Sequence, residues 1–413
     1  MAISASEDWE IEQVDIKTAF LYGELEEDVY MRIPDGTIRK LSKAIYGLKQ
    51  AGRQWNGRFH KTLIHAGFER IMGDTCCYIK MCSDGSPMIL QVHVDDTIIC
   101  GPNLVEINKF KEVLKEEYKI TDLGAIHNCL GWEIKRDRVA RTLSIGQPQY
   151  IQDMLFRFGC SDIAPAPTPA QSNVTFSKAM CPDVPDPKLR TSYMELLGSL
   201  LFAATSTRPD ISYAVSELAK FSANPGTDHW NGLIRILAYL KGTANYGLCY
   251  GNGTLTLYGF VDASYARCPD SRKSRYGGIL MMNNAAVDWR SKMEAVVALS
   301  SMEAEYIGAC ELVRLASWMR GCLSEIGFTQ KQATAIGMDN QSAKFFAEEW
   351  MTQNRSKHID TKYHYIRQQI VENSIQLLYC PTKQMPADAL TKPLAVRQYN
   401  QFRDAMGVRM IES

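Results

Sequence analysis

Alternating apolar and polar residues predict a β-hairpin over residues Leu90–Ile99. In the first half of this segment every second residue is apolar, the pattern of a strand that buries one face. The β-branched run Thr97–Ile99 predicts the second strand. Two adjacent carboxylates, Asp95 and Asp96, therefore fall at or next to the turn of the hairpin.

The pattern also predicts other elements before residue 250. A strand with apolar positions near its end should finish close to Asp15, and a short turn or helix should follow through 19–21. Apolar residues at helical spacing predict an amphipathic helix over 104–118. The segment 164–188 contains six prolines, which neither a helix nor a central strand tolerates, so we expect a linker there. Apolar helices are predicted at 193–204, 211–221 and 229–240.

From residue 255 onward the pattern changes to short strands, at 255–263, 276–282 and 286–291. A long helix should follow over 301–323, then a strand that ends at Met338, a strand over 375–380 and a last helix near 386–391. Four carboxylates occur in this order of elements, and they are Asp262, Glu305, Asp339 and Asp388. Strand ends and helix starts on one edge of a sheet converge, so these acids could share metal ions.

The isolated acids have simpler interpretations as well. The pair Asp95-Asp96 is either a metal site, since buried carboxylates require a cation, or a solvent-exposed acidic turn. Asp15 alone would be a helix cap or turn former. Each of the four later acids alone would be a cap or surface acid, and Glu303 competes with Glu305 for the position on the long helix. We choose Glu305.

The segment 40–61 contains six basic residues and no acid, interleaved with Tyr46, Trp55 and Phe59. Basic groups that neutralise phosphates, beside aromatic rings that stack on bases, are what a nucleic-acid track requires. A solvated basic helix face explains the same composition, and composition alone leaves both interpretations open.

Composition excludes several classes of protein. The 413 residues carry 46 basic and 46 acidic side chains, so a nucleic-acid partner would be held by local patches and not by the net charge. The sequence contains no run of 18 apolar residues, so it predicts no membrane span, and its acidic first ten residues do not resemble a signal peptide. The 12 cysteines lack zinc-site spacing and are expected to be reduced. We expect an intracellular protein without a targeting signal.

Four motifs in the first 160 residues resemble the reverse transcriptase of copia-type LTR retrotransposons: VDIKTAFLYGELEEDVYM, AIYGLKQAGRQW, the VDD hairpin and LGWEI. The resemblance implies a right-hand polymerase palm of α+β class, in which Asp15, Asp95 and Asp96 hold two Mg²⁺ ions. It also implies that Phe20 excludes a 2′-hydroxyl. Lys49 and Gln50, with Arg53 in the same basic segment, would lie along the template and incoming nucleotide.

The motifs FVDASYA, SSMEAEYIGAC, MDNQSA and ADALTKPL resemble the ribonuclease H that follows such reverse transcriptases. This resemblance implies an α/β fold in which Asp262, Glu305, Asp339 and Asp388 hold two Mg²⁺ ions, with Mn²⁺ as an alternative. The helices between the two parts resemble the family's thumb and connection. We therefore predict a palm at 1–160, a proline-rich linker at 161–190, a helical thumb and connection at 191–250, and a ribonuclease H-like domain at 251–413.

The chain departs from the family pattern in several places. His93 precedes the VDD where the family has Tyr, and Gly52 replaces a common Pro. The loop before Asp388 lacks the His that many ribonucleases H carry there, and we interpret His358 and His364 as structural or backbone-contacting. The chain begins almost at its first motif, so we expect an N-terminal truncation that removes the fingers.

Three functions remain open from the sequence. The leading hypothesis is an RNA-directed DNA polymerase with ribonuclease H activity, which would bind an RNA template, a DNA primer, deoxynucleoside triphosphates and RNA–DNA hybrids. The alternatives are a ribonuclease H with an inactive polymerase, and a retroelement remnant that binds nucleic acid without catalysis. The resemblance implies a location in the cytoplasm, within a virus-like particle, or in the nucleus. The oligomeric state is not predicted.

Overall fold

The computed structural model describes residues 1–348 and 360–411, with the side chains of 360–363 excepted. Packing divides the chain into two compact units. The amino-terminal unit comprises Glu7–Cys129 and Gly321–Thr329, and the carboxy-terminal unit comprises Met1–Ser6, Leu130–Arg320 and Gln330–Ser413. Of the two histidines interpreted as structural, His358 lies outside the described residues, whereas His364 is exposed on a helix.

Short strands and two long helices make up the chain up to residue 129, with a 3-10 helix at Ala19–Tyr22. The elements are α1 (Ala2–Ser6), β1 (Glu10–Ile16), β2 (Tyr30–Arg32), β3 (Ile38–Lys40), α2 (Ala51–His65), β4 (Glu69–Arg70), β5 (Cys77–Met81), β6 (Pro87–His93), β7 (Asp96–Gly101), α3 (Leu104–Glu117), β8 (Ile120–Ala125) and β9 (Asn128–Cys129).

Helices dominate the next part of the chain. The elements are β10 (Trp132–Asp137), β11 (Thr142–Gly146), α4 (Pro148–Arg157), α5 (Pro187–Ser206), α6 (Ser212–Leu218), α7 (Thr227–Gly242) and β12 (Tyr246–Gly251), with 3-10 helices at Lys178–Met180, Pro209–Ile211 and Ala219–Phe221. The three helices predicted from apolar spacing are therefore present as α5, α6 and α7.

Strands alternate with helices in the last part. The elements are β13 (Tyr258–Ser264), β14 (Arg275–Met282), β15 (Ala285–Met293), α8 (Ser301–Glu325), β16 (Thr334–Met338), α9 (Gln341–Glu348), α10 (Asp360–Val371), β17 (Ile375–Tyr379), α11 (Val396–Ala405) and β18 (Val408–Met410), with 3-10 helices at Thr382–Gln384 and Pro386–Leu390. The helix predicted near 386–391 is present as the 3-10 helix Pro386–Leu390, but it is not the last helix, because α11 follows it.

A six-stranded sheet in the order β4-β5-β6-β7-β1-β8 forms the centre of the amino-terminal unit. The predicted hairpin is β6–β7, and β1 pairs antiparallel with β7. Helix α3 packs on one face of the sheet through Ile107, Phe110 and Leu114. On that face Lys111 makes a buried ion pair of 2.6 Å with Glu12. The backbone amides of Met72 and Gly73 donate to the Glu325 carboxylate, which closes the unit.

A five-stranded sheet in the order β15-β14-β13-β16-β17 lies in the carboxy-terminal unit. Strands β13, β14 and β15 pair antiparallel, whereas β16 pairs parallel with β13 and β17 parallel with β16. This mixed order matches the predicted ribonuclease H-like fold. Helix α8 covers the sheet with buried Ala304, Ile307 and Leu312.

The helices α4, α5, α6 and α7 bury a second core in the same unit. At its edge the Arg208–Asp210 ion pair is fully buried, with an Nη2–Oδ2 distance of 2.7 Å. The first residues of the chain also belong here, since Asn283 Nδ2 donates 3.0 Å to the Ala2 carbonyl oxygen. Packing thus divides the chain near residue 129, whereas the domain boundaries predicted at 160, 190 and 250 stay a prediction.

The described helices include none that is both long enough and apolar enough to cross a membrane. None of the 12 cysteines, all of them among the described residues, forms a disulfide.

Candidate active sites

The pair Asp95-Asp96 lies at the tip of the β6–β7 hairpin. His93 pairs with Asp96, so Val94 and Asp95 form a two-residue turn. Val94 has a φ of 57°, which a β-branched residue rarely adopts. The Nε1 of the buried Trp55 donates a hydrogen bond of 2.6 Å to the Val94 carbonyl oxygen. A side chain of α2 therefore holds the strained turn that carries the acids.

Asp15 lies beside the hairpin tip because β1 pairs with β7. Asp15 is the register partner of Asp96, and directly opposed residues of an antiparallel pair share one face of the sheet. The Ile16 amide donates 2.9 Å to the Asp95 carbonyl oxygen, and Gln13 Nε2 donates 3.1 Å to Asp96 Oδ1. Burial, together with the charges of Asp95 and then Asp96, raises the pKa of Asp15. The strand pairing thus brings all three predicted carboxylates to one end of the sheet.

Tyr46 is a neighbour of these acids that the sequence did not single out as a site residue. The centre of its ring lies 4.5 Å from that of the Phe20 ring. Burial and the charges of Asp95 and Asp15 raise the pKa of the Tyr46 hydroxyl. Tyr46 is nevertheless 54% exposed, so it lies between the predicted sugar gate Phe20 and solvent.

The basic segment divides into an exposed part and a buried part. Lys49 and Arg53 are exposed at the start of α2, and Gln50 occupies the N-cap position of that helix. Trp55 and Phe59 are buried and stack on each other at 5.0 Å. These two rings lie four residues apart on the core side of α2, so they cannot stack on bases. That part of the nucleic-acid interpretation was wrong. The exposed cations Lys49 and Arg53 remain on a face that a phosphate backbone could reach.

The four acids of the carboxy-terminal unit come from four separate elements. Asp262 lies on β13, Asp339 follows β16, and Asp388 lies in the 3-10 helix Pro386–Leu390. One carboxylate oxygen from each of these three lies within 4.8 Å of the others. Burial raises the pKa of Asp262, and burial with the Asp262 charge raises that of Asp388 to about 7. Three acids far apart in sequence thus meet at one edge of the sheet.

Glu305 joins this group, whereas Glu303 faces another way. Burial and the charges of Asp262 and then Asp339 raise the pKa of Glu305 to about 9. The Glu303 carboxylate instead accepts 2.8 Å from the backbone amide of Leu299, which caps the start of α8. The geometry therefore favours Glu305 over Glu303 as the fourth member of the cluster.

Two residues beside the cluster were within a quoted motif but received no role from the sequence. The Thr391 hydroxyl donates a short hydrogen bond to Asp262 Oδ2. Lys392 Nζ lies 2.9 Å from Asp388 Oδ1 and 3.8 Å from Asp262 Oδ2. They follow Asp388 by three and four residues, so a search for polar groups one helical turn after a candidate acid could have found them.

The carboxy-terminal cluster fits divalent metal ions. The buried Glu305 Oε2 has no hydrogen-bond partner among the described residues, and Mg²⁺ prefers such carboxylate oxygens. Asp262, Asp339 and Asp388 form the one group of at least three such ligands in the described chain whose atoms lie within 4.8 Å. Asp15, Asp95 and Asp96 adjoin one another but are not so closely gathered.

Comparisons with known proteins show the family of the chain. Residues 1–172 match the model of the reverse transcriptase (RNA-dependent DNA polymerase) family. A putative transposon Ty5-1 protein of Saccharomyces cerevisiae is 32% identical over 310 residues, which cover 73% of this chain and 99% of that protein. The chain belongs to the copia-type retrotransposon Pol family.

Longer members of this Pol family are also similar to the chain. The Pol polyprotein from transposon TNT 1-94 of Nicotiana tabacum is 37% identical, over 99% of this chain and 32% of the polyprotein. That from transposon RE2 of Arabidopsis thaliana is 33% identical, over 99% and 28%. The chain therefore spans about a third of the length of these polyproteins.

Two solved structures show only a weak likeness. LC11-RNase H1 from compost has a TM-score of 0.26 and 14% identity, and the match covers 33% of this chain and 94% of that chain. The prototype foamy virus protease-reverse transcriptase has a TM-score of 0.25 and 11% identity, over 94% and 45%. Scores this low carry no argument about either protein.

Proposed function

We propose that this Pol family chain is an RNA-directed DNA polymerase joined to a ribonuclease H. The polymerase would extend a DNA primer on an RNA template with deoxynucleoside triphosphates, and the nuclease would cleave the RNA strand of the hybrid. The single observation that carries the proposal is the convergence of Asp262, Asp339 and Asp388, with Glu305 beside them. Four buried or half-buried acids at one point require cations, which phosphoryl-transfer enzymes use.

In the nuclease site, Asp262, Glu305, Asp339 and Asp388 would hold two Mg²⁺ ions. When bound, these ions would supply Lewis-acid stabilisation of charge and an activated water. Thr391 fixes the Asp262 carboxylate by a hydrogen bond. Thr382 likewise donates 2.8 Å to Asp339 Oδ2 and orients that acid.

In the polymerase site, Asp15, Asp95 and Asp96 would hold the ions at the tip of the hairpin. The strained turn at Val94 sets the direction of Asp95, and the strand pairing sets that of Asp15. The ring of Phe20 would lie under the sugar of an incoming nucleotide and exclude a 2′-hydroxyl.

The nuclease half is tested by cleavage of a labelled RNA–DNA hybrid with Mg²⁺. We expect Asp262→Asn to lose cleavage, because it removes a buried ligand charge at the centre of the cluster. Asp162→Asn is the matched control, since Asp162 is exposed in the same unit, and it should cleave like the wild type. Cleavage that persists in Asp262→Asn would contradict the site.

The polymerase half is tested by primer extension on an RNA template. Extension by the wild type should be lost in Asp95→Asn and kept in Glu116→Gln, which changes an exposed acid on α3. Absence of extension by the wild type, together with cleavage of hybrids, would refute the polymerase half alone.

A second candidate is a ribonuclease H whose polymerase site is inactive. One observation favours it: oxygens of three nuclease acids, Asp262, Asp339 and Asp388, lie within 4.8 Å of one another. Among the described residues, Asp15, Asp95 and Asp96 do not form such a group. The pair of assays separates the two candidates. Neither activity, with salt-sensitive retention of hybrids, would instead indicate a binding protein without catalysis.

A further inference from the structure

A cavity of about 500 Å³ opens within the carboxy-terminal unit, next to the acid cluster. Its walls come from the proline-rich segment, from α6 and α7, and from the strands β13 and β14. Thr391 lines the cavity and also hydrogen-bonds Asp262, so the cavity and the cluster share a wall. The volume lies within the range of about 300–1,000 Å³ that small-molecule sites occupy.

The charged side chains around the cavity are mostly basic. Four are cations and two are acids, and they are Arg235, Arg267, Lys273, Arg275, Glu217 and Asp228. Arg275 Nη2 lies 2.8 Å from Glu217 Oε2, so these two charges neutralise each other. The remaining charges of the lining are three cations and one exposed acid, Asp228. The cavity therefore favours an anion.

Arg235 is the cation with the least compensation. Its Nη2 donates 3.2 Å to the Thr168 hydroxyl, while its buried Nε has no hydrogen-bond partner. No carboxylate in the described part of the chain lies within 4.0 Å of its guanidinium. Burial lowers its pKa. A half-buried guanidinium without an acid is costly unless an anion can reach it, and phosphate suits its forked geometry.

Part of the cavity lining is apolar and aromatic. Phe176 and Tyr213 line the cavity together with Met180 and Met293. Both aromatic side chains are half-buried, which leaves part of each ring accessible. An aromatic surface beside a cation can hold a planar base and its phosphate at once.

We propose that this cavity binds a nucleoside phosphate, with the phosphate at Arg235 and the base against the wall that contains Phe176 and Tyr213. The ligand is either a free mononucleotide or the end of a nucleic-acid strand, since both offer the same chemistry. Binding here requires neither acid cluster to be active, so the inference is independent of the proposed function.

Isothermal titration calorimetry of the full chain with deoxyadenosine monophosphate in EDTA tests the proposal, because EDTA removes metal-mediated binding at the acids. We expect Arg235→Gln to weaken binding about ten- to hundred-fold, the loss of a charge-assisted hydrogen bond. Arg235→Lys should keep part of the affinity. Arg190→Gln, which changes an exposed arginine of the same unit outside the cavity, should bind like the wild type.

Two further variants protect the test against misfolding of Arg235→Gln. Arg267→Gln changes an exposed cation of the lining, and Ser172→Trp narrows the cavity from an exposed position. Both should weaken binding while circular dichroism stays unchanged, and Asp262→Asn should not weaken it. The proposal would be overturned if the wild type did not bind, or if Arg235→Gln and Ser172→Trp both bound as tightly as the wild type.

The source of the ligand is distinguished by three probes. Inorganic phosphate should bind more weakly than deoxyadenosine monophosphate, because it lacks a base for the aromatic wall. Tighter binding of a short single-stranded oligonucleotide with the same dependence on Arg235 would indicate a strand end, whereas weaker binding would indicate a free mononucleotide. Equal binding of phosphate and mononucleotide would refute the role of the aromatic wall.

Discussion

The ion pair between Arg208 and Asp210 offers a sharp test of what stabilises the carboxy-terminal unit. Both side chains are fully buried. The guanidinium donates from Nε and Nη2 to the two carboxylate oxygens, at 2.9 and 2.7 Å, and from Nη1 to the Thr243 carbonyl oxygen at 2.9 Å. The Tyr239 hydroxyl donates 2.7 Å to the same carboxylate. Every charge in this network is compensated only while both partners are present.

Asp210→Asn keeps the shape of the side chain and removes its charge. The Arg208 guanidinium would then remain buried without a counter-ion, and breaking such a pair costs about 3–5 kcal/mol in the free energy of unfolding. At about 2–4 °C per kcal/mol, the midpoint of thermal unfolding should fall by roughly 6–20 °C. Calorimetry measures the midpoint, and urea unfolding followed by circular dichroism measures the free energy.

Two comparisons sharpen this prediction. Glu195→Gln breaks the exposed pair with Arg157, whose side chains are 50% and 61% exposed, and should cost less than about 1 kcal/mol. The double variant Arg208→Met/Asp210→Asn should cost less than the sum of its single variants, because it no longer buries a lone charge. A cost below about 1 kcal/mol for Asp210→Asn would refute the reasoning.

Three further predictions concern the acid sites and the amino-terminal core. Trp55→Phe replaces the buried indole by a smaller ring and loses the 2.6 Å bond to the Val94 carbonyl oxygen, so it should cost at least about 0.5–1.5 kcal/mol in urea unfolding. It should also lower the rate of primer extension, because the turn that carries Asp95 is no longer held. Lys111→Met leaves Glu12 buried without its cation and should cost about 3–5 kcal/mol in urea unfolding; a neutral effect would contradict the burial of that pair. Folding raises the pKa of Glu305 from 4.5 to about 9, so between these pH values the folded chain holds a proton that the unfolded chain has released. The free energy of unfolding should therefore fall as pH rises through this interval. Glu305→Gln should flatten that slope and Mg²⁺ should oppose it, as calorimetry across pH would show.

The grouping of the four candidate acids was easier to predict from the sequence than the residues that surround them. Asp262, Glu305, Asp339 and Asp388 could be ordered from strand and helix patterns, because the ends of elements on one edge of a sheet converge. Their shared position also follows from the parallel pairing of β16 with β13, which a single sequence does not specify. The position of Thr391 three residues after Asp388 was a signal in the sequence, but its hydrogen bond to Asp262 was not, since folding brings that acid to it.

The basic segment shows the opposite error. Composition left open whether Trp55 and Phe59 contact nucleic acid, yet their spacing of four residues places them on one helix face with the buried Ala51 and Leu63. Periodicity, applied to this segment as it was to α3, would have assigned them to the core. Helix α11 was not predicted because only Tyr399 and Phe402 are buried in an otherwise polar sequence.

The interleaving of the two units along the chain has a consequence for synthesis on the ribosome. Met1–Ser6 emerge long before their partners, such as Asn283, which is translated more than 270 residues later. The amino-terminal unit likewise lacks Gly321–Thr329 until that segment emerges, and with it the carboxylate of Glu325 that binds the Gly73 amide. Domains usually fold one after another during translation. Here neither unit can be completed early, so nascent chains that stall before residue 330 should remain open to proteases throughout.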